Sequence, residues 1–228
     1  MNNPIKNLSK IEWLLWTVSL SILTVTYIAF ENTDILTLIA TYIGVTSLIF
    51  AAKGNAYSQI LMIVFSILYA VISFRFHYWG EMTTYLGMTL PMAVWSTVTW
   101  IKNPAKNGKE VAIQKLTLKH KIRLIIFSVI ITAVFCYLLY LLNTPNIVFS
   151  TVSITTSFVA ASLTKLRSSY YALWYAFNDV VLIILWTFAS MENPTYIPVV
   201  INFIIFLTND MYGFFSWKKR EILQNAES

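Results

Sequence analysis

The stretch DILTLIATYIGVTSLIFAAK, Asp34 to Lys53, runs uncharged from Ile35 to Ala52 between an acid and a base. A segment of this length crosses the hydrocarbon core of a bilayer. It crosses as a helix, because lipid offers no partner to backbone N–H and C=O groups. Lysine and arginine accumulate in cytoplasmic connections, so Lys53 marks the inner end of this span and Asp34 the outer end.

Working outward from that span gives eight in all, at residues 13–30, 35–52, 55–74, 82–101, 124–142, 147–164, 170–188 and 195–217. The fold class is an all-α integral membrane protein. With the amino terminus in the cytoplasm, the inner connections hold Lys6, Lys10, Lys53, the cluster from Lys102 to Arg123, Lys165, Arg167, Lys218, Lys219 and Arg220. Of the 16 Lys and Arg only Arg75 falls outside, while the outer turns carry Glu31, Asp34, Glu81 and Glu192. Both termini are therefore expected in the cytoplasm. A chain that is 57% hydrophobic and 11% charged fits this class, and its net charge of +6 reads as cytoplasmic anchoring rather than nucleic-acid binding. The single cysteine, Cys136, permits no disulfide within the chain and no paired-cysteine metal site. The first segment runs on to Glu31 without a clear small-residue cleavage site, so it reads as a retained helix rather than a signal peptide.

A second stretch mirrors the first. Asn146-Ile-Val opens the sixth span as Asp34-Ile-Leu opens the second, and Lys165 closes it at the spacing of Lys53. Trp95, Trp100 and Lys102 fall opposite Tyr212, Trp217 and Lys219. The expected domain, residues 1–228, is thus one membrane unit: an extra helix at 13–30, a first three-helix repeat at 34–101, a basic connector and linker helix at 102–142, and a second repeat at 146–218. One linker helix restores the orientation of the second repeat, giving the parallel three-plus-one-plus-three arrangement seen in SWEET sugar carriers.

Candidate chemistry lies where polar groups interrupt the apolar spans, since a charge at a helix centre costs about 2.5–3.5 kcal/mol on insertion scales and needs a role. Asp179 stands mid-span in Trp174-Tyr-Ala-Phe-Asn178-Asp179, and Asp210 in Asn209-Asp210-Met-Tyr212. Trp174 shares a helical face with Asn178, as Asn202 does with Asn209, and Gln59, Ser66 and Ser73 form a milder stripe. The alternative role for the Asn-Asp pairs is interhelical hydrogen bonding. Trp13, Trp16, Trp79 and Trp217, near span ends, read as an interfacial belt. Pro91 is expected to kink the fourth span, either as a hinge or as fixed shape.

These residues carry a resemblance. Lys53-Gly54-Asn55 with Tyr57, Trp95-x4-Trp100-x2-Asn103, Trp174-Tyr-Ala-Phe-Asn178-Asp179 with Trp186, and Asn209-Asp210-x-Tyr212-Gly213 before Trp217 occur in this order over nearly the whole chain. In this the chain resembles nicotinamide riboside transporters of the PnuC family. The resemblance implies a SWEET-like seven-helix core, a homo-oligomer in the lipid with a trimer as one form, and a place in a bacterial inner membrane. It also implies facilitated diffusion of the riboside, an NAD precursor, trapped by a cytosolic riboside kinase. Thiamine or riboflavin is the alternative cargo of such a fold.

A flat cationic ring is suited by aromatic faces, and its amide and ribose hydroxyls need polar partners. Trp174 and Tyr212 are the stacking candidates, with Trp95 beside them. Asn178, Asn209 and Gln59 are candidates for the amide or sugar. Asp179 and Asp210 are candidates to accept from ribose hydroxyls and balance the ring charge, or else to hold helices. Pro91 and Trp100 are candidate hinge and gate. No cofactor or metal is expected, since His77 and His120 fall outside the spans and no acid-base-nucleophile set appears, which argues against an enzyme. A small-molecule sensor is a more distant reading. Its retinal form would need a lysine deep in a span, and none is there.

Overall fold

The computed structural model describes residues 5, 8–30, 34–75, 77–106, 108, 110–144 and 146–226. Lys6 and Glu31, assigned to an inner and an outer segment, lie outside these. The described residues form helices α1 (Lys10–Ala29), α2 (Ile35–Ala52), α3 (Tyr57–Arg75), α4 (Trp79–Thr84), α5 (Leu90–Lys102), α6 (Leu118–Leu141), α7 (Ile147–Lys165), α8 (Tyr171–Glu192) and α9 (Ile197–Ala226). A π-helical turn, Tyr85–Thr89, joins α4 to α5 without a break, so the nine pieces make eight rods. Among the described residues the backbone forms no strand, only the isolated bridge Pro104–Val111.

Seven of the rods are long and apolar enough to cross a membrane. The eighth is split by its π turn into pieces that are each too short alone. There Leu90 N–H bonds to Tyr85 C=O, one residue further back than in an α-helix, immediately before Pro91. Proline lacks an N–H and crowds the preceding turn, and the wider turn absorbs that mismatch.

Several boundaries differ from expectation. Helix α1 starts at Lys10 because Ser9 and Glu12 close a capping box, which draws Glu12 into the helix. The fourth rod starts at Trp79, so Glu81 belongs to a helix rather than a turn. Helix α6 starts at Leu118 behind the Thr117 cap, and α9 continues to Ala226.

Helix α2 packs on α3 and α9, α7 packs on α8 and α5, and α8 packs on α9. Helix α1 lies against α2 and α9, and α6 lies against α7. At the lysine-bearing ends of α2 and α7 the chain repeats one set of bonds. Gly54 N–H donates to Ala51 C=O at 2.8 Å and Asn55 N–H to Phe50 C=O at 3.0 Å, as Arg167 N–H does to Thr164 C=O and Ser168 N–H to Leu163 C=O, both at 2.9 Å. Gly54 and Arg167 both take the left-handed conformation, with φ of 69° and 56°. That geometry suits the residue following a helix and comes free only to glycine. The pairing thus matches Gly54 with Arg167, one residue out of step with the Lys53–Lys165 match read from the sequence.

The indoles reciprocate. Trp100 Nε1 of α5 donates to Thr164 C=O of α7 at 2.8 Å, and Trp217 Nε1 of α9 donates to Ala51 C=O of α2 at 2.7 Å. Their rings meet at 5.3 Å in a cluster with Tyr171, Leu163 and Val159. Trp217 is 0% exposed, so it belongs to the core and not to an interfacial belt. Its N–H is a second donor to the Ala51 carbonyl, which already accepts from Gly54 N–H.

The connector folds across this basic end. Val111 N–H donates to Gly54 C=O, Gln114 N–H to Arg167 C=O, and Ile113 N–H to Gln224 Oε1 of α9, at 2.9, 3.0 and 2.8 Å. An Arg220–Glu110 ion pair joins it to α9 as well.

Candidate functional site

The buried amide and carboxyl groups of the spans lie on α3, α8 and α9. In each Asn-Asp pair the neighbours diverge, because adjacent residues of a helix point about 100° apart. Asn178 turns from α8 to α7, where its Oδ1 accepts from Ser153 Oγ at 2.8 Å and Thr156 Oγ1 at 3.0 Å. Asn209 turns from α9 to α1, its Nδ2 donating to Ser19 Oγ at 3.1 Å and Ile205 C=O at 2.8 Å. The aspartates turn the other way and meet: the Asp179 and Asp210 carboxyl groups lie side by side, both buried. Tyr175 and Tyr171 of α8 lie near Asp210. Two carboxyl groups buried against each other are costly, and a polar ligand is one way to satisfy the lone pairs they leave over.

Tyr175 also lines a narrow cavity of about 10 Å³, room for about one water molecule. Gln59 and Met62 of α3, Thr89 of the π turn, Met92, Ala93 and Ser96 of α5, and Ala161 and Thr164 of α7 complete the wall. Hydroxyls and an amide placed among methionines and one tyrosine ring make a polar cleft that has to widen to admit an organic ligand. The lining contains no carboxylate, lysine or arginine, and Asp210 and Asp179 lie near Tyr175.

Of the residues singled out in the sequence, Gln59, Asp179 and Asp210 come together around this region. Trp174 is partly buried on the Trp100–Trp217 cluster, 5.9 Å from the ring of Phe177. Trp95 stands outside, 57% exposed, with the Lys165 ammonium 3.4 Å above its ring. Five positions separate it from Trp100, which turns it to the far side of α5 while Trp100 is 2% exposed. Tyr212 reaches the α1 terminus near Ser9 and Glu12, where Glu12 pairs with Lys53 at 2.9 Å. Pro91 follows the π turn. Sequence reasoning missed Tyr175, Thr89, Ser96 and Thr164. Tyr175 lay inside a quoted motif, four residues before Asp179, and that helical spacing was its signal; the other three are common span residues with no mark of their own. Among the described residues no group of acids, histidines and cysteine is arranged to hold a metal.

Comparison with known proteins agrees with this architecture. Residues 34–219 match the family model described as nicotinamide mononucleotide transporter. The nicotinamide riboside transporter PnuC of Neisseria mucosa is 28% identical over 213 residues, covering 91% of this chain and 80% of that protein. Its namesake in Haemophilus influenzae is 24% identical over 179 residues, covering 77% and 76%. The crystal structure of the vitamin B3 transporter PnuC superposes with a TM-score of 0.81 at 24% identity, over 96% of this chain and 94% of that one, which shows a shared fold. The matched segment begins at the acid that opens α2 and ends just past Trp217, so it contains the aspartate pair and the cavity; this chain belongs to the nicotinamide mononucleotide transporter family, a family of membrane carriers and not of enzymes.

Proposed function

We propose that the chain carries nicotinamide riboside across a bacterial inner membrane by facilitated diffusion. The observation that carries this reading is the polar cavity at Gln59, Ser96, Thr164 and Tyr175, backed by the Asp179–Asp210 pair. Two relatives bear the name nicotinamide riboside transporter. Two carboxyls in contact share a proton, so the pair offers ribose hydroxyls both a donor and an acceptor. No lysine or arginine lines the cavity to receive a phosphate, which favours the riboside over its mononucleotide.

In this reading the substrate stacks on Tyr175 with Trp174 nearby. Gln59, Ser96 and Thr164 contact its amide or sugar, and Asp179 Oδ2 accepts from a hydroxyl. Asn178 holds α8 to α7, while Asn209, Tyr212 and Trp95 serve helix packing. The π turn and Pro91 form a hinge, with Trp100 closing the inner end.

Two three-helix units, α2 to α5 and α7 to α9, related through the linker α6, make up the carrier. The reciprocal indole bonds and the matched Gly54 and Arg167 turns support that division. The gathering of Lys and Arg at one end supports termini in the cytoplasm. The carrier assembles as a homo-oligomer in the lipid, and a cytosolic kinase traps the product.

Calorimetry on the purified protein with nicotinamide riboside, its mononucleotide, thiamine and riboflavin tests the assignment. Binding of the riboside with exclusion of the mononucleotide is expected. Selective binding of thiamine or riboflavin would replace the substrate.

A further inference from the structure

Beyond the aspartate pair, one acid is turned into the protein at the end away from the lysines. Glu81 lies one helical turn before Tyr85 and shares its face of the fourth rod. Its carboxyl stands beside Tyr69 and Tyr85. Those rings are 5.0 Å apart at their centroids, and Phe65 adds a third at 4.6 Å from Tyr69 and 5.9 Å from Tyr85. Ser73 Oγ of α3, buried, is turned to the same carboxyl. Tyr85 in turn neighbours Asp179. Carboxyl groups and tyrosines thus follow one another from Glu81 through Tyr69 and Tyr85 to Asp179, Asp210 and Tyr175.

A carboxylate set against π faces attracts a flat cation and gives nothing extra to a neutral ring of the same shape. We propose that Glu81, with Tyr69 and Tyr85, is a specificity-determining station at the outer entrance that admits positively charged aromatic ligands and hands them to the aspartate pair. The inference rests on the riboside reading for its natural ligand and on the carboxyl–tyrosine series for its charge preference.

The test is uptake into proteoliposomes of nicotinamide riboside and of its dihydro form, which keeps the amide and ribose but has no ring charge. Thiamine and riboflavin serve as a second cation and a second neutral ring. Wild-type protein is expected to favour the cations. Glu81→Gln, nearly isosteric, is expected to raise KM for the cation about tenfold with the maximal rate little changed and the dihydro form unaffected. Glu81→Asp should restore part of the preference. A wild type that moves neutral and charged members equally, or a Glu81→Gln variant that alters both alike or neither, overturns the proposal. Transport of thiamine but not of either riboside would remove the riboside reading and leave charge selection standing; transport of none of the four would remove both.

Discussion

A single amide or carboxylate in this protein does different work from its immediate neighbour. Asn178 and Asn209 tie α8 and α9 to the helices flanking them, whereas Asp179 and Asp210 face each other. Both pairs were visible in the sequence as polar breaks in apolar spans. Which member faced inward was not, because adjacent positions differ only by the helical rotation that packing selects. Replacement of Asp179 by Ala is expected to abolish riboside uptake with the melting temperature unchanged or raised, since a carboxyl buried against a second carboxyl is costly to keep. Asn178→Ala is also expected to abolish uptake, but with lower stability, about 1–3 kcal/mol, because Ser153 and Thr156 lose their shared acceptor. Uptake assays beside thermal unfolding in detergent separate these outcomes.

The elements show where local chemistry decides shape. The span from Ile35 to Ala52 was legible from its apolar run and its closing charges. The π turn was not, because its only mark in the sequence is Pro91 and the extra residue is placed by packing of Tyr85 and Met88 against α3 and α6. Restoring an N–H at position 91 allows the turn to close into an ordinary α-helix, rotating Tyr85 and Thr89 relative to the cavity. Pro91→Ala is therefore expected to slow uptake about tenfold while leaving the melting temperature equal or higher, and a rate equal to wild type would show the turn to be fixed shape only. Helix α1 depends on a different contact. Glu12, buried, reaches Lys53 of α2, and Trp16 Nε1 donates to Thr46 Oγ1 at 3.0 Å. Glu12→Gln should lower stability by about 1–3 kcal/mol, read in the same unfolding assay, because the Lys53 ammonium loses its counter-charge.

Across the whole molecule, helix order and the crowding of basic residues at one end were readable from charge and hydropathy, because insertion into lipid imposes both rules on sequence directly. The inward stripe Gln59, Ser66, Ser73 was also readable, and all three residues are buried. Which tryptophan of α5 is buried was not readable, since Trp95 and Trp100 look alike in a string, yet Trp100 is 2% exposed and Trp95 57%. The resulting carrier has Trp100, Tyr171 and Trp217 packed at the basic end, the cavity above them, and the aspartate pair beside it. Under the facilitated-diffusion reading, substrate flows only down its own gradient. The decisive measurement is uptake of labelled nicotinamide riboside into proteoliposomes that contain no kinase. Saturable uptake that stops when inside and outside concentrations are equal, and that is indifferent to collapse of proton and sodium gradients, is predicted. Accumulation above the outside concentration that vanishes with either gradient, or no uptake at all, would contradict the account.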